Sequence, residues 1–167
     1  MDSKIARDWT TEAGLRAVVL RAFGTHNCGY VNVGDDHPLY RHPDSKPHPA
    51  LRALWEEAQQ GPIGKRGVIA IACAKPGDGG ASPDAVFDVH GSLTFAGPLL
   101  GLVGDESLWW YGFDCDHLGD TLATCNEEFC VAECESLARQ LAAVPRPAGA
   151  GRKPQREGER HAQDPNS

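Results

Sequence analysis

The chain has 167 residues, 41% of them hydrophobic and 23% charged, a balance that fits one globular domain and leaves no room for two independent cores. No run approaches the roughly 18 consecutive apolar residues of a membrane span. The amino terminus MDSKIARDWTTEAGL shows no apolar core of a secretory leader, so the expected compartment is the cytoplasm. The formal charge is −7; five bases against three acids from Pro145 onward leave −9 on residues 1–144. That acidic body repels phosphate backbones and argues against direct nucleic-acid binding, while suiting a basic protein partner.

Residues 15–20 (LRAVVL) and 28–33 (CGYVNV) are strand-like and flank a Gly24 turn, which predicts a hairpin. The following DDHPLYRHPDSKPHP places His37, His42 and His48 before prolines, the pattern of an irregular surface loop rather than a site. Residues 49–60 (PALRALWEEAQQ) carry proline in the first turn and apolar residues at helical spacing, and Gly61 marks the stop. The continuous apolar run 68–74 (VIAIACA) predicts a buried strand. KPGDGG after it lacks the GK[ST] ending and following helix of a phosphate loop.

Two further strands are predicted over 85–95 (AVFDVHGSLTF) and 108–114 (LWWYGFD), pairing antiparallel. On the first, Asp88 and His90 share a face and Phe87 and Val89 take the other. On the second, Trp110, Gly112 and Asp114 share a face, with Trp110 the aromatic best placed to wall a ligand site and the glycine admitting close approach. A final helix is predicted over 126–144, with a Thr124/Glu127 capping box and an apolar stripe of Cys130, Cys134, Leu137 and Leu141. Residues 145–167 lack periodic apolar positions and are expected to be a disordered tail. The whole reads as a single α+β domain, residues 1–144, with a curved antiparallel sheet and a packed C-terminal helix.

The chemistry concentrates in FDCDHLGD, where Asp114, Asp116, His117 and Asp120 follow a strand and His90 with Asp88 can join from its neighbour. His90, Asp114, His117 and Asp120 form a candidate ligand set for a divalent metal that keeps a water position open, the recipe of a metal-dependent hydrolase. His90, Asp114 and His117 are then the catalytic candidates, and Asp88 and Trp110 the ligand-binding ones. The same residues can equally cap turns and fill a sheet. A thiol route through Cys28, His90 and Asp114 is the weaker chemistry, because Cys28 begins a strand and has no helix dipole to activate it. With no CxxC pair, the six cysteines read as buried thiols and not as a zinc cluster.

CGYVNVGDDHPLY, VFDVHGSLTF and LWWYGFDCDHLGD, followed by FCVAECESLARQL, resemble an uncharacterised family of small tailed-phage and prophage proteins. That family shows CGYV, then HGGLTF, then WWFGFDC-A-H-x-GD. Ser92 stands here for the second glycine and Asp116 for the alanine, while His90, Asp114, His117 and Asp120 match. The resemblance spans 15–141, with 49–83 as an insertion. It implies an accessory role on host or anti-phage defence machinery and no particular reaction. Two functions therefore follow: a hydrolase or binder of a small polar or phosphorylated ligand, or a non-catalytic acidic inhibitor, of the anti-CRISPR kind, that covers a basic surface of a host protein.

Overall fold

The computed structural model describes residues 3–60, 79–105 and 107–146. The predicted strand 68–74 and nearly all of the tail lie outside the described residues. An open, wholly antiparallel sheet of five strands forms in the order β1-β2-β3-β5-β4. Its strands are β1 (Lys4–Thr10), β2 (Arg16–Ala22), β3 (His26–Val33), β4 (Phe95–Gly97) and β5 (Trp109–Asp114). The helices are α1 (Arg52–Gln60), the single turn α2 (Pro83–Val86) and α3 (Glu127–Ala142). This is the α+β architecture expected, with α3 packed on β2 and β3.

The hairpin β2–β3 closes through a tight turn in which Phe23 and Gly24 both take positive φ. Its alternation buries Ala17, Val19, Val31 and Val33 against Cys134, Leu137 and Leu141 of α3, the stripe that spacing predicts. Gly29 makes that approach possible, because a Cβ there would lie 2.7 Å from Cys134 Sγ and 2.5 Å from the Phe113 ring. β1 was not foreseen. Charged and exposed, it has no apolar face to betray it, and it is held by the ladder to β2, a bidentate Arg16 to Asp8 pair and Trp9 Nε1 donating to Glu135 at 2.9 Å.

The prediction of a strand over 85–95 needs correction. Residues 83–86 form a helical turn, 88–92 run without a sheet partner, and only Phe95–Gly97 pairs, with β5. The backbone bonds a strand would make are supplied by α3: Gln140 Oε1 accepts from Asp88 N at 2.7 Å, Gln140 Nε2 donates to Asp88 O at 3.0 Å, and Glu133 Oε2 accepts from His90 N at 2.9 Å. The alternation was still meaningful, since Phe87 and Val89 are fully buried in the main core. The cap of α3 also differs: the Asn126 side chain accepts from Phe129 N at 2.9 Å, and Thr124 instead closes a hydroxyl turn with Thr121.

Candidate metal centre

Three separate devices bring the chemistry together at one end of β5. The ladder continues one residue past the strand, with Cys115 N donating to Asn27 O at 3.0 Å, so the loop 114–120 leaves the sheet in a fixed direction. Asp116 N donates to Asp114 Oδ1 at 3.3 Å and Asp120 N to His117 O at 2.9 Å, folding the loop into two successive turns, the second relaxed by Gly119 at φ 98°. The fully buried Asn27 side chain donates to Cys125 O at 2.8 Å, tying the approach to α3 onto the same edge.

His90 arrives from the segment that α3 clamps. Its Nε2 lies 2.9 Å from Asp120 Oδ2, and Phe129 stacks edge-on against its ring at a centroid distance of 5.3 Å. Gly91, at φ 67°, leaves space that a Cβ would take from the His117 ring, the two coming within 2.0 Å. The His–Gly pair of the sequence is thus one imidazole donor and the floor of the other. His117 donates its backbone N–H to the same Asp120 Oδ2 at 3.0 Å and sets Nδ1 3.2 Å from it, with Asp114 Oδ1 at 3.9 Å on the other side.

Asp120 is the hub. Burial raises its carboxyl, but the bonds from His90, the His117 amide and Cys125 outweigh that and hold it well below the usual carboxylate range. Because the carboxylate can only accept, the imidazole nitrogens facing it carry protons, and those protons occupy positions that one divalent ion would fill. Donor atoms of His90, His117 and Asp120 all lie within 4.8 Å of one another. The set is partly open: the His117 side chain is 39% exposed, His90 25% and Asp120 11%.

Cys125 and Cys115 were missed as site residues. Cys125 Sγ is 3.4 Å from Asp120 Oδ1 and 3.9 Å from His90 Nε2, and Cys115 joins the two within 4.8 Å. Burial, reinforced by Cys115 and Asp120, pushes the Cys125 thiol up to about 11. It therefore stands as a neutral thiol at neutral pH, not as a nucleophile. The sequence carried one faint sign, Cys125 lying immediately before the Asn126 cap.

Asp114 borders the site on a cleft of about 620 Å³, lined also by His26, Cys28, Tyr30, Phe95, Asp116 and His117. Asp88 sits elsewhere, in a depression with Leu54, Phe87, Arg139 and Gln140, so it does not share the His90 site as strand geometry had suggested. Trp110 is fully buried with Val18 and Leu99 on the sheet face away from α3, covered by Leu102, Val103 and Leu108 and by the Arg16 guanidinium 5.6 Å from its ring. It cannot wall a ligand site. The Cys28, His90 and Asp114 arrangement is not assembled, because His90 turns Nε2 to Asp120 and burial pushes Cys28 up to about 11.

No family model, curated protein or solved structure matches the chain. Among the described residues no helix is long and apolar enough to cross a membrane.

Proposed function

We infer that the protein is a metal-dependent hydrolase, an accessory factor of phage or prophage type, in which His90, His117 and Asp120 hold one divalent ion at the mouth of the cleft. The observation that carries this reading is the convergence of two imidazoles on a single carboxylate oxygen, at 2.9 and 3.2 Å, on a partly exposed surface. Three protein donors leave a position for water, and the ion would lower the pKa of that water to about 7 and supply the nucleophile. Asp114 Oδ1, 3.9 Å from His117 Nδ1, sets a second carboxylate beside the ion's position, and the 620 Å³ cleft gives a small polar ligand its room. Metal content of the purified full chain tests this. One Mn²⁺ per chain is expected, lost in His90→Ala, His117→Ala and Asp120→Asn together with Mn²⁺-dependent turnover of activated phosphodiesters and esters. Unchanged Mn²⁺ content in His117→Ala removes that residue from the centre.

A second reading rests on the surface beside the centre. Asp116 is 74% exposed next to the cleft, and Phe23 and Leu100, each 62% exposed, line the same rim. Carboxylates flanked by apolar groups suit a basic partner segment, as the acidic-inhibitor alternative requires. Such a partner would dissociate as salt rises, and would be retained by variants that have lost the metal.

A further inference from the structure

The His90 imidazole belongs to two donor sets at once. Toward solvent it faces His117 and Asp120; toward the core it faces Cys125 and Cys115. We propose that the inner set, His90 Nε2 with the Cys115 and Cys125 sulfurs and Asp120 Oδ1 as fourth donor, is a seat for one thiophilic divalent ion of the zinc class. It rests on the centre inferred above for the shared His90–Asp120 pair, and on the two cysteines independently.

The geometry around Cys125 supports it. A tetrahedral zinc ion with nitrogen and oxygen donors at about 2.0 Å and sulfur at about 2.3 Å separates its ligand atoms by roughly 3.3–3.8 Å. Cys125 Sγ lies 3.4 Å from Asp120 Oδ1 and 3.9 Å from His90 Nε2, and the His90, Cys115 and Cys125 donors are mutually within 4.8 Å. Only small adjustments of side chains separate that arrangement from coordination. Depth supports it as well: Cys115 and Cys125 are 3% and 4% exposed, so this seat is closed where the outer one is open. A third sulfur, Cys130, stands 3.6 Å behind Cys115.

Donor softness then divides the two seats. Two sulfurs and an imidazole select Zn²⁺, Cd²⁺ and Co²⁺, whereas two imidazoles and a carboxylate accept ions that prefer oxygen. His90 Nε2 has one lone pair and serves one ion at a time, so the seats are alternatives. A thiophilic ion on the inner seat withdraws His90 from the outer one. Each thiol that binds releases its proton to solvent, the His90 proton passes from Nε2 to Nδ1 to free the ligating lone pair, and no electron transfer is involved.

Co²⁺ titration of the full-length, metal-free chain tests the inner seat. Expected is one Co²⁺ per chain with an intense near-ultraviolet sulfur-to-cobalt charge-transfer band. Cys115→Ser and Cys125→Ser each weaken the band and lower affinity by at least about tenfold, and the double variant abolishes the band; His117→Ala and Cys28→Ser keep it. Co²⁺ bound without the band, and lost in His117→Ala, overturns the inner seat and leaves the outer centre standing. No Co²⁺ bound to folded protein overturns both. If a serine variant fails to fold, the wild-type chain still decides: Zn²⁺ should protect Cys115 and Cys125 from thiol alkylation, read by peptide mass analysis, and equal labelling with and without Zn²⁺ overturns the seat.

Discussion

Two histidine-bearing regions of this molecule do opposite work. In the 37–48 connection every imidazole is tied to backbone. His37 Nε2 meets Leu141 O at 2.9 Å while its Nδ1 accepts from Leu39 N at 3.1 Å, His42 Nε2 meets Lys46 O at 2.7 Å, and His48 Nδ1 accepts from Ala50 N at 3.2 Å to start the helical turn before α1. In the 90–120 region the imidazoles face a side-chain carboxylate and, through His90, two thiols. A histidine tied to main chain pins a loop; one gathered with other ionisable side chains keeps lone pairs that protons now cover and an ion can claim. His37 shows the first case at its extreme, being 4% exposed in a segment whose sequence reads as a surface loop.

The contrast predicts opposite consequences for similar substitutions. His37→Ala should be the most destabilising, by about 2–4 kcal/mol, because it opens a cavity and takes from the buried Leu39 N its Nδ1 acceptor. Urea midpoints measure this, and a loss below about 1 kcal/mol would mean His37 is no pin. Gly91→Ala should cost about 1–3 kcal/mol, since it combines an unfavourable φ with a methyl group inside the His117 ring, and should also lose the metal. Retained metal content in that variant would show that His117 is not fixed by its floor.

Acid should separate the regions without any mutation. Burial lowers the His37 pKa from its ordinary 6.5, so the unfolded chain binds the proton more readily. His37 stabilisation is therefore complete above pH 6.5 and declines as pH falls below it, and His48 is displaced in the same direction by burial and His42. Asp120, held below its ordinary 3.8, begins to withdraw its contribution only near that lower pH. Urea midpoints from pH 8 to 5 should fall, and His37→Gln should reduce the slope; an unchanged slope assigns it to other groups. His117→Ala should be the mildest for the fold, within about 0.5 kcal/mol, because the side chain is 39% exposed. Its effect belongs to Mn²⁺ content, where it should be large.

Much of this was legible in the residues themselves. Periodicity located β2, β3, β5, α1 and α3 and the stripe that α3 buries, because side-chain alternation and helical spacing are local consequences of backbone geometry. The residues after β5 and the facing His90 offered a four-ligand set, His90, Asp114, His117 and Asp120, of which three lie with donor atoms within 4.8 Å of one another while Asp114 stands 3.9 Å from His117 at the border. Other matters were settled by contacts distant in sequence. The 85–95 segment alternates like a strand, yet Glu133 and Gln140, more than forty residues away, satisfy its amides. Trp110 alternates onto the face of Asp114 but is sealed by a connection whose path no pattern in β5 reveals. Cys125 follows no metal-site spacing and reaches Asp120 and His90 with its backbone held by Asn27 of β3 and by Thr121 O. Local sequence determined which elements form and which faces they bury. Tertiary structure decided which lone pairs meet, because donors so far apart along the chain converge only after the sheet and α3 have packed.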